Sequence, residues 1–244
     1  MNTGIARTFR PRPLDPALRR FNSLAALSPA EIAIVERTLG TREEHRAGAE
    51  LLAEGAAMRP PRLIVSGWAV RQRLLPDGRR QIFSFLVPGD GIGFCINPHP
   101  LAMAATTALT RIETVDATLV RAAARDGAAH PGLAEVVAAG ARLDETRLLD
   151  NMVRLGRQTA YERVAHLLLE LRDRLVVAGL ADELRFPLPA TQETLADALG
   201  LSVVHINRIL QQLRREKVIE LHSGRVTLLN PDLLVAIADY RRAS

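Results

Sequence analysis

The chain has 244 residues, of which 48% are hydrophobic and only 4% aromatic, and its formal net charge is +5. This length suits one large domain or two modest ones with aliphatic cores. No apolar run approaches the ~18 residues of a membrane span, and the N-terminus lacks the apolar core of a secretory signal. Cys95 is the single cysteine, which excludes an internal disulfide and multi-cysteine metal sites within one chain. We therefore expect a cytoplasmic protein without a metal, a cofactor or a membrane partner.

The N-terminal segment is basic and rich in proline. Residues 1–20 carry five arginines and one aspartate, a composition that predicts a flexible basic arm. The next segment, Ser28-Pro29-Ala30-Glu31, is a capping box with proline at the first helical position. It predicts a short helix that ends near Gly40.

Between about Arg42 and Val120 the hydrophobic period changes to short apolar runs separated by turns. Pro76-Asp77-Gly78 predicts a hairpin between two of these runs, and the segment 88–91 predicts a second turn. We expect the runs to form antiparallel strands that close a small barrel or roll. The predicted strands are Leu63–Val65, Ala69–Leu75, Gln81–Val87 and Arg111–Val115.

A long helical region follows, with Pro131 near its start. Leu148, Met152 and Leu155 recur at spacings of four and three, like part of a coiled-coil seam. This pattern favours a dimerisation helix over residues 131–158. The alternative is a helix that packs against its own domain, and one helix can do both. Thr159-Ala160-Tyr161-Glu162 is a second capping box, which predicts a new helix and a hinge between domains.

The segment from Gln192 to Leu213 predicts two helices joined by a tight turn, the arrangement that places a helix in the DNA major groove. Gly200 allows a positive φ in the turn, and the Ser202 hydroxyl can cap the second helix. Ala196 is small where the helices approach each other. The apolar stripe of the second helix consists of Ile206, Ile209, Leu210 and Leu213. The polar residues on or near its other face are His205, Asn207, Arg208, Gln211 and Gln212. An ordinary helical hairpin within a core is the alternative.

Two apolar runs after this motif, Val218–Leu221 and Arg225–Leu229, flank the turn sequence His222-Ser223-Gly224. They predict a β-hairpin, the wing of a winged helix-turn-helix, and Asn230-Pro231 then caps a terminal helix. Residues 155–244 carry twelve basic and eleven acidic groups, so this half is not broadly basic. The prediction of DNA binding therefore depends on the motif and not on net charge.

The predicted elements follow one another along the chain as a roll, a long helix, a hinge and a winged helix-turn-helix. The chain resembles the CRP/FNR superfamily of bacterial transcription regulators over about residues 21–235. The resemblance is strongest in TAYERVAHLLLEL and LPATQETLADALGLSVVHINRILQQLRREKVIEL, and weaker in PDGRRQIFSFLVPGDGIG of the roll.

This resemblance implies an α+β fold: an N-terminal cupin-like β-roll like that of cyclic-nucleotide-binding domains, a dimerisation helix and a C-terminal winged helix-turn-helix. The corresponding domains are residues 21–130, 131–158 and 159–244. It also implies a homodimer, not an enzyme, that binds a palindromic site in double-stranded DNA and regulates transcription with RNA polymerase.

Arg208 matches the arginine with which the family reads a guanine, since a guanidinium can donate two hydrogen bonds to guanine O6 and N7. The alternative is a solvent-facing Arg208 paired with Glu216 or with a phosphate. Val203 and Val204 depart from the family, and many members have a glutamate at position 204 that reads cytosine or adenine amino groups. Val204 cannot accept such a bond but can contact a thymine methyl, so the operators of well-known members should not be assumed. The remaining predicted DNA-contacting residues are Thr191 and Gln192 near phosphates, Ser202, Val203, His205 and Asn207 on the second helix, and His222 and Arg225 on the wing.

The resemblance also bears on the effector. Cyclic-nucleotide binders of the family have a Gly-Glu pair for the ribose and an arginine for the phosphate. The corresponding segment here, GFCINPHPLAMAATTAL, has neither the glutamate nor the arginine. A cyclic phosphate would therefore lack its counter-charge. We expect either no effector or an unidentified small molecule that is not a typical cyclic nucleotide.

Cys95 and His99 allow further alternatives. The pair could serve a redox- or haem-responsive regulator, or a thiol enzyme with His99 as base. The plainer interpretation is a half-buried cysteine at a strand end and an exposed loop histidine. A purely oligomeric scaffold is a third class, which the well-formed recognition helix disfavours.

Overall fold

In a computed structural model, residues 15–58, 60–94 and 101–240 are described. The helices are α1 (Pro16–Leu24), α2 (Pro29–Thr38), α3 (Thr118–Arg125), α4 (Pro131–Arg157), α5 (Ala160–Val177), α6 (Gln192–Leu199), α7 (Val203–Arg215) and α8 (Pro231–Ala238). The strands are β1 (Arg42–His45), β2 (Glu50–Leu52), β3 (Arg62–Ser66), β4 (Ala69–Leu74), β5 (Arg80–Leu86), β6 (Gly91–Ile92), β7 (Ala105–Ala108), β8 (Ile112–Asp116), β9 (Arg185–Pro187), β10 (Ile219–His222) and β11 (Arg225–Leu228).

Strands β1–β8 form the predicted roll from two antiparallel four-stranded sheets, with strand orders β1-β8-β3-β6 and β2-β7-β4-β5. The hairpin predicted at Pro76-Asp77-Gly78 joins β4 to β5, which pair from Ala69↔Leu86 to Leu74↔Arg80. Buried aliphatic side chains from both sheets fill the interior of the roll. These side chains are Ile64, Ala69, Leu86, Ile92, Ala108 and Ile112. The predicted fold class is therefore confirmed.

The predicted arm is wrong for residues 15–20. Asp15 caps α1 by accepting a hydrogen bond from the backbone N–H of Ala17 (2.9 Å), and Leu18 and Phe21 are buried against the roll. Arg20 is also buried, with its Nη2 atom 3.0 Å from Asp90 Oδ1. Composition suggested disorder because it does not reveal these distant partners. Residues 1–14 lie outside the described part of the chain.

Both predicted capping boxes are confirmed. Ser28 and Glu31 exchange hydrogen bonds at the start of α2, and Thr159 and Glu162 do so at the start of α5. Helix α4 runs for 27 residues, and Gln158 then takes an extended conformation before α5 begins. The caps thus place the break between the two helices where the sequence predicted a hinge. Within the described residues, no helix is long and apolar enough to cross a membrane.

The third sheet contains a strand that the sequence did not predict. Strands β10 and β11 form the expected wing hairpin, and β9 adds to its edge through Phe186↔Val226. No strand was predicted in the segment before the helix-turn-helix. Three residues are too few to show a period, and the strand forms because the edge of β11 is available for pairing.

The roll and the C-terminal region share one hydrophobic core. Trp68 packs edge-on against Phe85, with ring centroids 6.2 Å apart, and both belong to the cluster that includes Leu167 and Leu199. Strand β5 therefore packs directly against the helix-turn-helix. The orientation of the recognition helix is consequently tied to the roll.

Candidate nucleic-acid interface

The helix-turn-helix is built from local signals, of which the sequence predicted the turn at Gly200 and the cap at Ser202 but not the cap at Thr191. Thr191 caps α6 by accepting the Thr194 N–H (3.1 Å), and Gly200 ends that helix at φ +63°. Ser202 then caps α7 by accepting the His205 N–H (3.2 Å). A Cβ at Gly200 would lie 3.4 Å from a Leu155 methyl, so the turn packs closely against the end of α4.

One face of α7 anchors the helix in the core. Ile206, Ile209, Leu210 and Leu213 are all buried, as the periodicity predicted, and Ala196 of α6 is buried beside them. The burial fixes the rotation of α7 about its own axis. The opposite face is therefore presented to solvent as a defined set of side chains.

Val204 and Arg208 lie one helical turn apart on this exposed face. Val204 is 79% exposed, an unusual position for a β-branched apolar side chain, and Val203 is 44% exposed. Arg208 is exposed and makes no hydrogen bond or ion pair within the described ranges. Arg208 is thus available for a ligand.

The alternative pairing of Arg208 with Glu216 is not present. Glu216 instead accepts a hydrogen bond from the Tyr161 hydroxyl of α5 and another from Gln212 Nε2 (2.9 Å). The bond from Tyr161 and the one from Gln212 lower the pKa of Glu216, so this carboxylate stays charged and engaged. These bonds join the C-terminal end of α7 to the start of α5.

The other predicted residues on α7 differ in their availability. Asn207 is exposed, and its Oδ1 accepts a hydrogen bond from Gln211 Nε2 (3.3 Å). His205 is only half-buried, and Ser202 is exposed although its hydroxyl is used as the cap. Asn207 therefore presents its amide N–H donors, whereas Ser202 has mainly a structural role.

Two further elements flank α7. Gln192 is exposed at the N-terminal end of α6, where free backbone N–H groups and the helix dipole favour a phosphate. On the wing, His222 and Arg225 are paired in register beside a tight turn in which Ser223 and Gly224 both have positive φ. Both side chains are exposed, so the wing tip presents one guanidinium and one imidazole ring to solvent.

Sequence reasoning missed a residue that positions this surface. Arg163 of α5 donates from Nε to the Gln158 carbonyl (2.9 Å) and from Nη1 to the Leu199 carbonyl (3.1 Å). It thereby joins the hinge to the C-terminal end of α6. No local pattern identifies such a residue, because its acceptors are backbone atoms brought together by folding.

An open groove lies beside α7 and the wing, with a volume of about 610 Å³. Its lining residues are Gln211, Arg214, Arg215, Ile219, Glu220 and Leu229. The two arginines extend the positive charge of the Arg208 face toward the end of α7.

The three residues of the predicted α4 seam differ in their exposure to solvent. Met152 is 69% exposed and Leu148 is 45% exposed, whereas Leu155 is half-buried against the turn at Gly200. Leu149 and Val153 complete the exposed apolar stripe. The exposed stripe therefore keeps Leu148 and Met152 of the predicted seam and adds Leu149 and Val153, whereas Leu155 packs within its own chain.

The alternatives of a redox- or haem-responsive regulator and of a thiol enzyme depend on two residues that the structure does not describe. Cys95 and His99 lie outside the described residues. Over the ranges that are described, no group of three histidine, cysteine or acidic side chains could hold a metal ion.

Comparison with known proteins agrees with this architecture. Residues 162–237 match the Crp-like helix-turn-helix domain. The chain is 31% identical to the nitrogen fixation regulation protein FixK of Bradyrhizobium diazoefficiens, covering 92% of each chain. It is 30% identical to the transcriptional activatory protein AadR of Rhodopseudomonas palustris, covering 72% of each. The solved structure of FixK2 from Bradyrhizobium japonicum superposes with a TM-score of 0.70 at 28% identity, covering 84% of this chain and 98% of that one.

Proposed function

Because the chain belongs to the CRP/FNR superfamily of DNA-binding transcription regulators, we propose that it binds a palindromic operator as a homodimer, with one α7 helix in the major groove of each half-site. The protein is a transcription regulator and not an enzyme. The observation that carries the proposal is the pair Val204 and Arg208. Both are exposed on one side of a capped helix whose other side is buried.

Arg208 reads a guanine in each half-site. Its guanidinium has no partner among the described residues, so DNA binding does not require an internal ion pair to break first. A bidentate contact to guanine O6 and N7 is worth roughly 1–3 kcal/mol of discrimination. Asn207 and His205 lie close enough along α7 to contact neighbouring bases.

Val204 makes an apolar contact with a thymine methyl, one helical turn before Arg208. A valine offers no hydrogen-bond acceptor for an amino group of cytosine or adenine. Its exposed methyl groups instead lose water when they meet the C5-methyl group of thymine. The half-site therefore contains a thymine close to the guanine that Arg208 reads.

The flanking elements bind the DNA backbone. Thr191 and Gln192 place the start of α6 against a phosphate, while His222 and Arg225 of the wing contact phosphates on the other side of the groove. Such contacts fix the register of the helix but carry no sequence information. They make the affinity dependent on salt.

Dimerisation uses the apolar stripe of α4. Leu148, Leu149, Met152 and Val153 are exposed in the single chain, and a second copy packed in parallel would bury all four. The two-fold axis along α4 would then relate the two recognition helices. This symmetry is what a palindromic operator requires.

The protein acts on transcription together with RNA polymerase. AadR is named as a transcriptional activatory protein and FixK as a nitrogen fixation regulation protein, so we propose activation as the direction of regulation. The absence of the ribose-binding glutamate and the phosphate-binding arginine from residues 93–109 supports an effector other than a typical cyclic nucleotide, or none.

Selection of bound fragments from a random DNA pool by the intact dimer tests the proposal. The expected product is a two-fold symmetric site with a guanine in each half, whose affinity falls steeply with salt. An intact dimer that enriches no sequence above non-specific binding would overturn it.

A further inference from the structure

The strongest unexplained feature of the molecule is a set of buried arginines between the roll, α4 and α5. A chain of ion pairs runs from Arg20 through Asp90, Arg174 and Glu170 to Arg154. The contact distances along it lie between 2.6 and 3.3 Å. Within this chain three guanidiniums face two carboxylates, which leaves one positive charge in excess.

A second, shorter chain of ion pairs has the same imbalance. Asp144 of α4 contacts Arg71 of β4 at 2.9 Å and Arg147 at 3.2 Å. Two guanidiniums therefore share one carboxylate. Burial and the nearby charge of Arg174 lower the pKa of Arg147 to about 10, so its charge is under-compensated.

The two networks meet at a small cleft enclosed by β5, α4, α5 and α6. Arg147 and Arg154 both line it, together with Asn151, Ser84 and Glu170. Arg154 is only 3% exposed, and its Nε atom has no acceptor within the described residues. A buried N–H donor of a charged group without an acceptor is costly, because the group has given up its hydration.

We propose that this cleft binds a small monovalent anion of the halide class, most simply chloride. The ion would accept from the free N–H of Arg154, lie beside Arg147, and offset the excess positive charge of the two networks. The volume of the cleft, about 10 Å³, is close to the least that one water needs, so a halide enters with a small outward shift of the flanking side chains, and phosphate and organic anions are too large. A water would fit the space, but it would leave the excess charge uncompensated.

The position of the cleft gives the ion a structural consequence. Arg147, Asn151 and Arg154 form the stripe of α4 that faces its own chain, opposite the exposed apolar stripe. The cleft is closed on its other sides by Ser84 of the roll and Ala198 of the helix-turn-helix. A bound anion therefore joins the roll, the long helix and the DNA-binding domain, and its release should loosen all three.

Thermal unfolding of the full-length protein at constant ionic strength tests this site. Isethionate is the reference anion because it is too large for the cleft. At a chloride or bromide concentration near ten times the Kd of that halide, the Tm should be about 3–6 °C higher than in isethionate. Arg147→Gln removes one excess charge while Asp144 keeps Arg71 as its partner, and it should abolish the halide dependence. Arg142→Gln is the matched control on the same helix, because Arg142 is exposed and paired with Glu135; it should keep the dependence.

Diffraction from crystals grown in bromide provides a second measurement that does not depend on any variant folding. An anomalous peak between Arg147 and Arg154 is the expected result. Equal Tm values in chloride and isethionate for the unaltered protein, or a cleft that contains only water in bromide, would overturn the assignment.

Discussion

Arg80 on β5 of the roll and Asp197 on α6 of the helix-turn-helix form an ion pair, with Nη2 2.6 Å from Oδ2. The neighbouring Gln81 side chain donates to the Ala198 carbonyl at 3.5 Å. These contacts cross from one domain to the other above the shared core around Phe85. They fix the position of α6, and therefore of α7, relative to the roll.

The first prediction concerns this pair. Arg80→Ala should lower the free energy of unfolding by about 0.5–1 kcal/mol, because the pair is partly exposed and screened by solvent. Denaturant unfolding of the single variants, of the double alanine variant and of the charge-swapped Arg80→Asp/Asp197→Arg variant measures the coupling. Additive losses in the double alanine variant, with no recovery in the swapped one, would show that the pair has no role in joining the domains.

The second prediction concerns base readout by Arg208. Arg208→Ala should weaken binding to the selected operator roughly 5- to 150-fold and relax specificity at one base pair of each half-site. Competition titrations against operators with each base substituted at that pair measure the effect. The wing variant Arg225→Ala is the control, since loss of a phosphate contact should weaken all sequences alike and reduce the salt slope by about one per contact. A uniform loss in Arg208→Ala would assign it to phosphate instead.

The third prediction isolates a single methyl group. Replacing the thymine under Val204 by deoxyuridine removes only the C5-methyl and should weaken binding by about 0.8 kcal/mol, roughly fourfold in Kd. In Val204→Ala the same replacement should have little effect. Deoxyuridine at each of the remaining thymines of the operator, one at a time, is the control. If no thymine is sensitive, or if the sensitivity survives in Val204→Ala, the contact does not exist.

The fourth prediction concerns the apolar stripe of α4. Met152→Glu should shift the protein from dimer to monomer and reduce operator affinity, because it places a like charge from each subunit in an apolar seam. Sedimentation measures the mass and a mobility-shift assay the affinity. Leu119→Glu on α3, where the leucine is also exposed (44%), should leave both unchanged. A dimer that persists in Met152→Glu would place the interface elsewhere.

The fifth prediction concerns pH. Burial, and secondly the charge of Arg154, lower the pKa of His166, whose ring packs edge-on against Tyr240. The unfolded chain, with a histidine pKa of about 6.5, therefore binds a proton more readily than the folded one. The contribution of His166 to the free energy of unfolding is therefore fully present above pH ~6.5 and is lost as the pH falls below that value. Denaturant unfolding from pH 8 to 5 should show this decline, and His166→Phe should make it shallower. An unchanged profile in the variant would remove His166 as the cause.

Local signals in the sequence predicted the helix-turn-helix in detail. The caps at Ser202 and Thr159, the positive φ at Gly200 and the buried stripe of α7 depend on residues within a few positions of each other. The hairpin between β4 and β5 and the wing followed from turn residues in the same way. Such features are visible because a short segment contains both partners of each interaction.

Long-range partners decided the rest. Helix α1 is ordered because Arg20 meets Asp90, β9 forms because β11 offers an edge, and Leu155 turns inward because Gly200 packs against it. None of these contacts leaves a pattern in the flanking residues.

The sequence by itself therefore determined the fold class, the recognition helix and the arginine on its surface, since periodicity and capping act over one or two helical turns. Only the tertiary structure decided which face of α4 is free, how the roll is joined to α6, and that two arginine-rich networks meet at one cleft. Burial and net local charge depend on atoms that the chain brings together from distant positions.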